Sequence, residues 1–274
     1  MSDSLPEVLA ALRASTKYAH VSEDIVRRVA TEALAKRRNT KEAIKAAKNK
    51  LHQIGGACQG DMRYAKWLST LTADPSLFAS HLTLMLAQHA STRERLPLLD
   101  TFYQRIFDSI DTPINLVLDV ACGLNPLTLP WMPLPKGVRY LACDIYGDMM
   151  EFLNECFAQL GYVNAHAQVC DVVSAVSLQP STLGVPVDVA FVLKTIPCLE
   201  QVDKTIGSRL LDALNAKHIV VSFPAQSLGG RNKNMAAHYA AHFDDLMANC
   251  SWAHRVQRLD FATELVFVVT RRRS

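Results

Sequence analysis

The chain has 274 residues, 49% of them hydrophobic, which suffices for one large domain or two modest ones with a substantial core. No apolar run approaches the ~20 residues of a membrane span, and the opening Met-Ser-Asp-Ser-Leu-Pro-Glu has neither a basic cluster nor an apolar core, so a cytoplasmic protein is expected. Seven cysteines, at 58, 122, 143, 156, 170, 198 and 250, with no Cys-x-x-Cys pair, argue against a disulfide framework and a zinc site, and no metal is expected.

Residues 1–110 read as an all-helical domain. Ser22 and Asp24 can cap a helix entered at Ile25, and Thr40 a second with Leu51 and Ile54 on one face. Further helical patterns cover 61–71, 76–89 and 97–110, with Pro97 suited to a first helical position. The net charge is only +3, but nine of the basic residues fall between 27 and 50, against Glu32 and Glu42 alone. Within this block Arg28, Lys36, Arg37, Arg38, Lys41, Lys45 and Lys48 are candidates for neutralising phosphates. A solvated amphipathic face is the plainer alternative.

From residue 113 the texture changes to β-branched apolar runs at 116–120, 138–143, 166–170, 187–193 and 218–222, with helical stretches between several of them. Two last candidates, 254–261 and 264–270, would pair as a hairpin. Alternating strands and helices predict an α/β, Rossmann-like parallel sheet with helices on both faces. Closed by a hairpin, it becomes the seven-stranded arrangement typical of S-adenosylmethionine-dependent methyltransferases, here over residues 111–274.

The first strand ends in Asp119, and the chain then turns through Ala121, Cys122 and Gly123, as where a buried strand gives way to a ligand-binding loop. A dinucleotide site would want Gly-x-Gly-x-x-Gly. One glycine followed by Asn125-Pro126 suits a ligand without phosphates, and S-adenosylmethionine is the commonest such ligand on this architecture. Asp144 ends the second strand, where a carboxylate can accept from a ribose diol; its alternative role is as a helix cap. Asp171 ends the third, placed to bond the exocyclic amine of adenine. After the fourth strand, Lys194 is a candidate for positioning an electron-rich substrate. Pro197-Cys198 allows a second reading, a cytosine-C5 methyltransferase with Cys198 as nucleophile. Arg231 and Lys233, and the tail Arg271 to Arg273, can extend a basic surface. His238 and His242 share a helix face but lack the glutamate of a metalloprotease motif.

Leu-Asp-Val-Ala-Cys-Gly-Leu-Asn-Pro, Cys-Asp-Ile and Leu-Lys-Thr-Ile-Pro-Cys-Leu-Glu-Gln together resemble one narrow family. These are the aminoglycoside-resistance 16S rRNA methyltransferases that modify guanine 1405 at N7, in the branch that includes the sisomicin-gentamicin methylase. The resemblance spans essentially the whole chain. It implies S-adenosylmethionine as methyl donor, 16S rRNA in the 30S subunit as substrate, a monomeric enzyme, and protection against gentamicin and kanamycin. Carried over by position, Ala121 and Gly123 would line the methionine part of the cofactor, Asp144 would hold the ribose, and Asp171 with Val172 the adenine. Leu193 and Gln201 would bracket the site. Tyr64 and Arg105 would close over the cofactor, Arg105 pairing with its carboxylate. Guanine N7 has a free lone pair, so no catalytic base is required. A non-catalytic ribosome-binding factor with a vestigial pocket is a third reading.

Overall fold

The computed structural model describes residues 4–56, 62–73, 75–172, 187–201, 203–225, 235–248 and 250–272. Its strands are β1 (Leu116–Val120), β2 (Arg139–Asp144), β3 (Ala165–Val169), β4 (Val187–Leu193), β5 (Ala216–Pro224), β6 (Ala253–Asp260) and β7 (Glu264–Arg271). They form one sheet in the order β3-β2-β1-β4-β5-β7-β6. The first five are parallel, and β7 runs antiparallel to β5 and β6. This is the expected sheet with its closing hairpin. Every residue of β1 and β4 is buried, as in central parallel strands covered on both faces, which is why they read as apolar runs interrupted only by Asp119 and Asp188. The edge strand β3 is tied down by Asn154, whose side chain donates to the Ala167 carbonyl and accepts the Ala167 N–H, both at 2.8 Å.

Among the described residues, seven α-helices come before the sheet: α1 (Ser4–Arg13), α2 (Glu23–Lys36), α3 (Thr40–Leu51), α4 (Tyr64–Ala73), α5 (Phe78–Leu86), α6 (Ala90–Arg95) and α7 (Leu99–Asp108). Then α8 (Gly147–Gln159) joins β2 to β3, α9 (Ile196–Leu199) and α10 (Ile206–Ala213) lie between β4 and β5, and α11 (Met235–Met247) precedes β6. Helix α3 buries Ala43, Ala47 and Leu51, a single stripe of four-residue spacing. Its cap is Asn39 rather than Thr40: the Asn39 side chain accepts the Glu42 N–H at 2.9 Å. Ser22 sits at the N-cap position of α2 but makes no side-chain cap bond. The helix expected over 76–89 stops at Leu86, and a short separate helix, α6, begins at Ala90. Pro97 lies in a 3-10 turn (Leu96–Leu98) that leads into α7.

The helical segment packs directly on the sheet. Ser22 N–H donates to the Ile145 carbonyl at 3.0 Å, and Gly147 N–H to the His20 carbonyl at 2.8 Å. Tyr64 and Trp67 of α4 pack on Phe152 of α8, with ring centroids 4.8 and 5.6 Å away. One apolar core runs from Val8 and Leu12 through Phe102 and Ile106 to Val117, Phe191 and Val220. A second, on the opposite face, gathers Leu118, Val192, Leu210, Phe223, Phe243 and Phe267.

Candidate active site

Strand order reverses between β1 and β4, and in doubly wound sheets ligands bind beyond the carboxyl ends of the strands at that point. A cavity of about 390 Å³ lies there. Ala121, Gly123, Asp144, Asp171, Val172, Leu193, Lys194 and Gln201, dispersed over 81 positions of sequence, all line it. Pro197, Cys198, Pro224, Met235 and Tyr239 form its far wall.

The loop after β1 is tightly bent. Ala121 and Gly123 take φ of 50° and 51°, and Lys194 takes 56°. Ala121 and Lys194 are the non-glycine residues with positive φ among the described residues, and both face the cavity. Backbone strain of this kind gathers at functional sites. At Gly123 a side chain is doubly barred, because a Cβ would lie 2.8 Å from His89 Cε1 and Nε2. Burial, with Arg95, Lys194 and Arg93 adding to it, lowers the His89 pKa to about 4, so the imidazole is neutral at physiological pH.

Three carboxylates close three successive strands. Asp119 is buried in β1, its Oδ2 accepting from Tyr140 Oη at 2.6 Å and Asn125 Nδ2 at 2.8 Å. Its Oδ1 is buried without a hydrogen-bond partner. Burial raises the Asp119 pKa to about 7, against the pull of those two bonds and of Arg95. Asp144 accepts the Gly123 N–H on Oδ2 at 2.9 Å and the Ile145 N–H on Oδ1 at 2.6 Å, so it fixes the loop as well as facing the cavity. Burial pushes its pKa up, while both amides pull it down. It does not cap α8, whose N-cap residue is Tyr146. Asp171 pairs with Arg28 of α2 at 3.0 Å.

Lys194 lines the cavity, but its ammonium is already spent. Nζ lies 2.6 Å from Glu94 Oε2 and 3.3 Å from Glu264 Oε2. Glu264 is fully buried and also accepts from Arg95 at 2.7 and 3.1 Å and from Ser222 Oγ at 2.6 Å. Burial opposes its charge, yet Arg95 and Lys194 hold its pKa below the usual carboxylate value. Arg95 continues the network to Asn125 Oδ1 at 2.6 Å, and Asn125 reaches Asp119. The loops after β1 and β4 thus share one buried polar scaffold. Lys194, expected to position the substrate, faces the cavity with its ammonium paired to two carboxylates.

Other expected site residues lie elsewhere. Arg105 does not reach the cavity: its Nη1 donates to the Asp260 carbonyl at 3.1 Å and its guanidinium lies 4.3 Å over the Phe261 ring. Tyr64 stands behind the wall, stacked on Phe152, with its hydroxyl buried and unpartnered. Arg28, expected on a phosphate-facing surface, is committed to Asp171 and Glu32. Lys36, Arg37, Arg38, Lys41 and Lys45 are exposed and Lys48 half-buried, clustered at the α2–α3 turn and along one face of α3. Arg231 and Lys233 lie outside the described residues, as does Arg273. Arg271 donates to the Leu214 carbonyl at 2.9 Å and covers Trp252 at 4.1 Å, so the tail offers less free charge than its composition suggests. His242 pairs with Glu200 at 2.7 Å. The Cys198 thiol donates to the Lys194 carbonyl at 3.7 Å.

Reading by strand ends missed the contribution of 89–94. His89, Ala90, Ser91 and Glu94 all line the cavity from the start of α6. No capping pattern marks this helix, whose N-cap residue is His89 with no side-chain cap bond.

Seven strands in this order, helices on both faces and a cavity at the strand reversal define the fold of the S-adenosylmethionine-dependent methyltransferases. A family model described as ribosomal RNA methyltransferase (FmrO) matches residues 14–268, and the chain belongs to that family. It is 38% identical to the 16S rRNA (guanine(1405)-N(7))-methyltransferase of Micromonospora echinospora over 97% of each chain. To the enzyme of the same name from Frankia casuarinae it is 40% identical, covering 94% of this chain and 90% of the relative. Among solved structures, the 16S rRNA methyltransferase RmtF in complex with S-adenosyl-L-homocysteine superposes with a TM-score of 0.83 at 32% identity, over 99% of this chain and 100% of that one. An rRNA methylase from Escherichia coli gives 0.75 at 31% identity, over 98% and 100%.

Proposed function

We propose that this protein transfers a methyl group from S-adenosylmethionine to N7 of guanine 1405 of 16S rRNA in the 30S subunit, acting in the cytoplasm as a monomer. Resistance to gentamicin- and kanamycin-type aminoglycosides follows from that modification. The observation that carries the reading is the gathering of the family's motif residues around one cavity, in a chain similar over nearly its full length to enzymes of that name.

The residues present fit this cofactor. The wall is rich in carboxylate, and the unpartnered Asp119 Oδ1 suits a ligand that carries an ammonium and a sulfonium. The neutral His89 imidazole fills the space a Cβ on Gly123 would need and adds no positive charge there. Ala121 and Gly123 would line the methionine part, Asp144 would hold the ribose diol, Asp171 and Val172 the adenine, and Leu193 and Gln201 the flanks. Bound there, S-adenosylmethionine supplies an electrophilic methyl group. N7 of guanine carries a lone pair and no proton, so the chain's task is to align that lone pair and keep water out, without a base or a metal. The cations at the α2–α3 turn have no ion-pair partner among the described residues, which suits contact with rRNA phosphates.

Incubating the protein with labelled cofactor and either 30S subunits or free 16S rRNA, followed by borohydride–aniline cleavage, tests the reading. Strand scission at guanine 1405 of the 30S subunit is expected. Absence of label from 30S, or label at another base, overturns it. Cys198→Ala should retain near-normal turnover, whereas its inactivity would favour covalent cytosine-C5 chemistry.

A further inference from the structure

Two residues that the sequence assigns to different tasks meet at the adenine end of the cavity. Asp171 follows β3 and lines the wall. Arg28 stands on α2, 143 positions earlier; its Nε donates to Asp171 Oδ2 at 3.1 Å, and Nη2 lies in ion-pair contact with the same oxygen at 3.0 Å. The side chains are 25% and 11% exposed, so solvent screening takes less from this pair than from a surface ion pair. Arg28 is itself held from behind. Its Nη1 donates to Glu32 Oε1 at 3.2 Å, and Glu32 also binds Lys50 of α3. Nε and Nη1 are each hydrogen-bonded to a carboxylate, which leaves this arginine poorly suited to a phosphate.

We infer that Arg28 is a positioning residue for adenine recognition. Its hydrogen bond from Nε and the close charge of Nη2 anchor Asp171 Oδ2, so that Oδ1 addresses the exocyclic amine. The inference rests on the reading of Asp171 as the adenine contact. A carboxylate's terminal torsion is broad and roughly two-fold, so anchoring one oxygen narrows the planes it samples. A planar guanidinium that donates from Nε and sets a second charged nitrogen against the same oxygen narrows that freedom, and a lysine's compact ammonium does not reproduce it. The helical segment thereby completes the cofactor site of the sheet.

The test is calorimetry on the full chain with S-adenosylhomocysteine and with S-inosylhomocysteine, in which a carbonyl replaces the adenine amine. Wild type, Arg28→Lys, Arg28→Met and Asp171→Asn are compared, each with its melting temperature. Wild type should prefer the adenosyl ligand. Both Arg28 variants should bind it on the order of tenfold more weakly, the loss of about one well-placed charge-assisted bond. Their preference over the inosyl ligand should shrink towards that of Asp171→Asn, while inosyl affinity and melting temperature stay near wild type. Arg28 variants with wild-type affinity and preference, beside an impaired Asp171→Asn, overturn the inference. So does equal weakening of both ligands with a lowered melting temperature, the mark of a merely structural pair. If Asp171→Asn itself keeps wild-type affinity and preference, the assignment of Asp171 to adenine has failed instead, and the role of Arg28 falls with it.

Discussion

Gly123 and His89 compete for one volume, and only the absence of a Cβ lets both keep their places. Gly123→Ala should therefore cost more than a routine surface change. The positive φ and the 2.8 Å clash predict a loss of about 1–3 kcal/mol in stability and at least tenfold in cofactor affinity, by denaturant unfolding and calorimetry. Asp119 predicts a pH effect with a definite sign. Its folded pKa, about 7, lies above the ordinary 3.8, so the native state holds this proton more tightly than the unfolded chain. The resulting stability is fully present below the ordinary value and is lost as the pH rises through 7. Asp119→Asn retains an oxygen to accept from Tyr140 and Asn125. Without cofactor it should melt above wild type, by a margin that widens from about pH 5 to pH 8 and reaches on the order of 2–4 kcal/mol. A margin independent of pH would show that Asp119 does not titrate in this range.

At the scale of elements, the short helix α6 and the first residue of β7 form a joint on which two loops hang. Arg95 and Glu264 are both fully buried, and Glu264 also takes the ammonium of Lys194. Removing one partner of such a pair strands the other. Glu264→Gln should destabilise the fold by about 3–5 kcal/mol in urea unfolding. Replacing both, Arg95→Met with Glu264→Leu, should recover much of that loss, because apolar packing substitutes for a buried pair and Lys194 keeps Glu94. Neither α6 nor this joint was legible beforehand. A six-residue helix shows too little periodicity, and Glu264 reads as an ordinary residue at a hairpin turn.

Over the whole molecule the basic block divides into two populations. Arg28 and Lys50 turn inward to Asp171 and Glu32, and Arg27 pairs with Glu23. Lys36, Arg37, Arg38, Lys41, Lys45 and Lys48 remain for an outside partner. Replacing Lys36, Arg37 and Arg38 together by Ala should weaken 30S binding and flatten its salt dependence, by roughly 0.7–0.9 in log–log slope for each phosphate no longer neutralised. Cofactor affinity should be unchanged. An unaltered salt slope would remove these residues from the rRNA interface.

Strand runs, turn residues and acids at strand ends are local patterns, and from them the sequence by itself determined the parallel sheet, its closing hairpin and most of the cavity wall. A central strand is largely apolar, and a close backbone approach needs small residues, so both leave marks that can be read one segment at a time. What only the tertiary structure decided is which charges are free. Arg28, Arg105 and Lys194 look alike in sequence to any exposed cation, and their partners Asp171, the Asp260 carbonyl and Glu264 lie 70 to 155 positions away. Charge pairing depends on distance and burial, and neither exists until the helical segment has packed against the sheet.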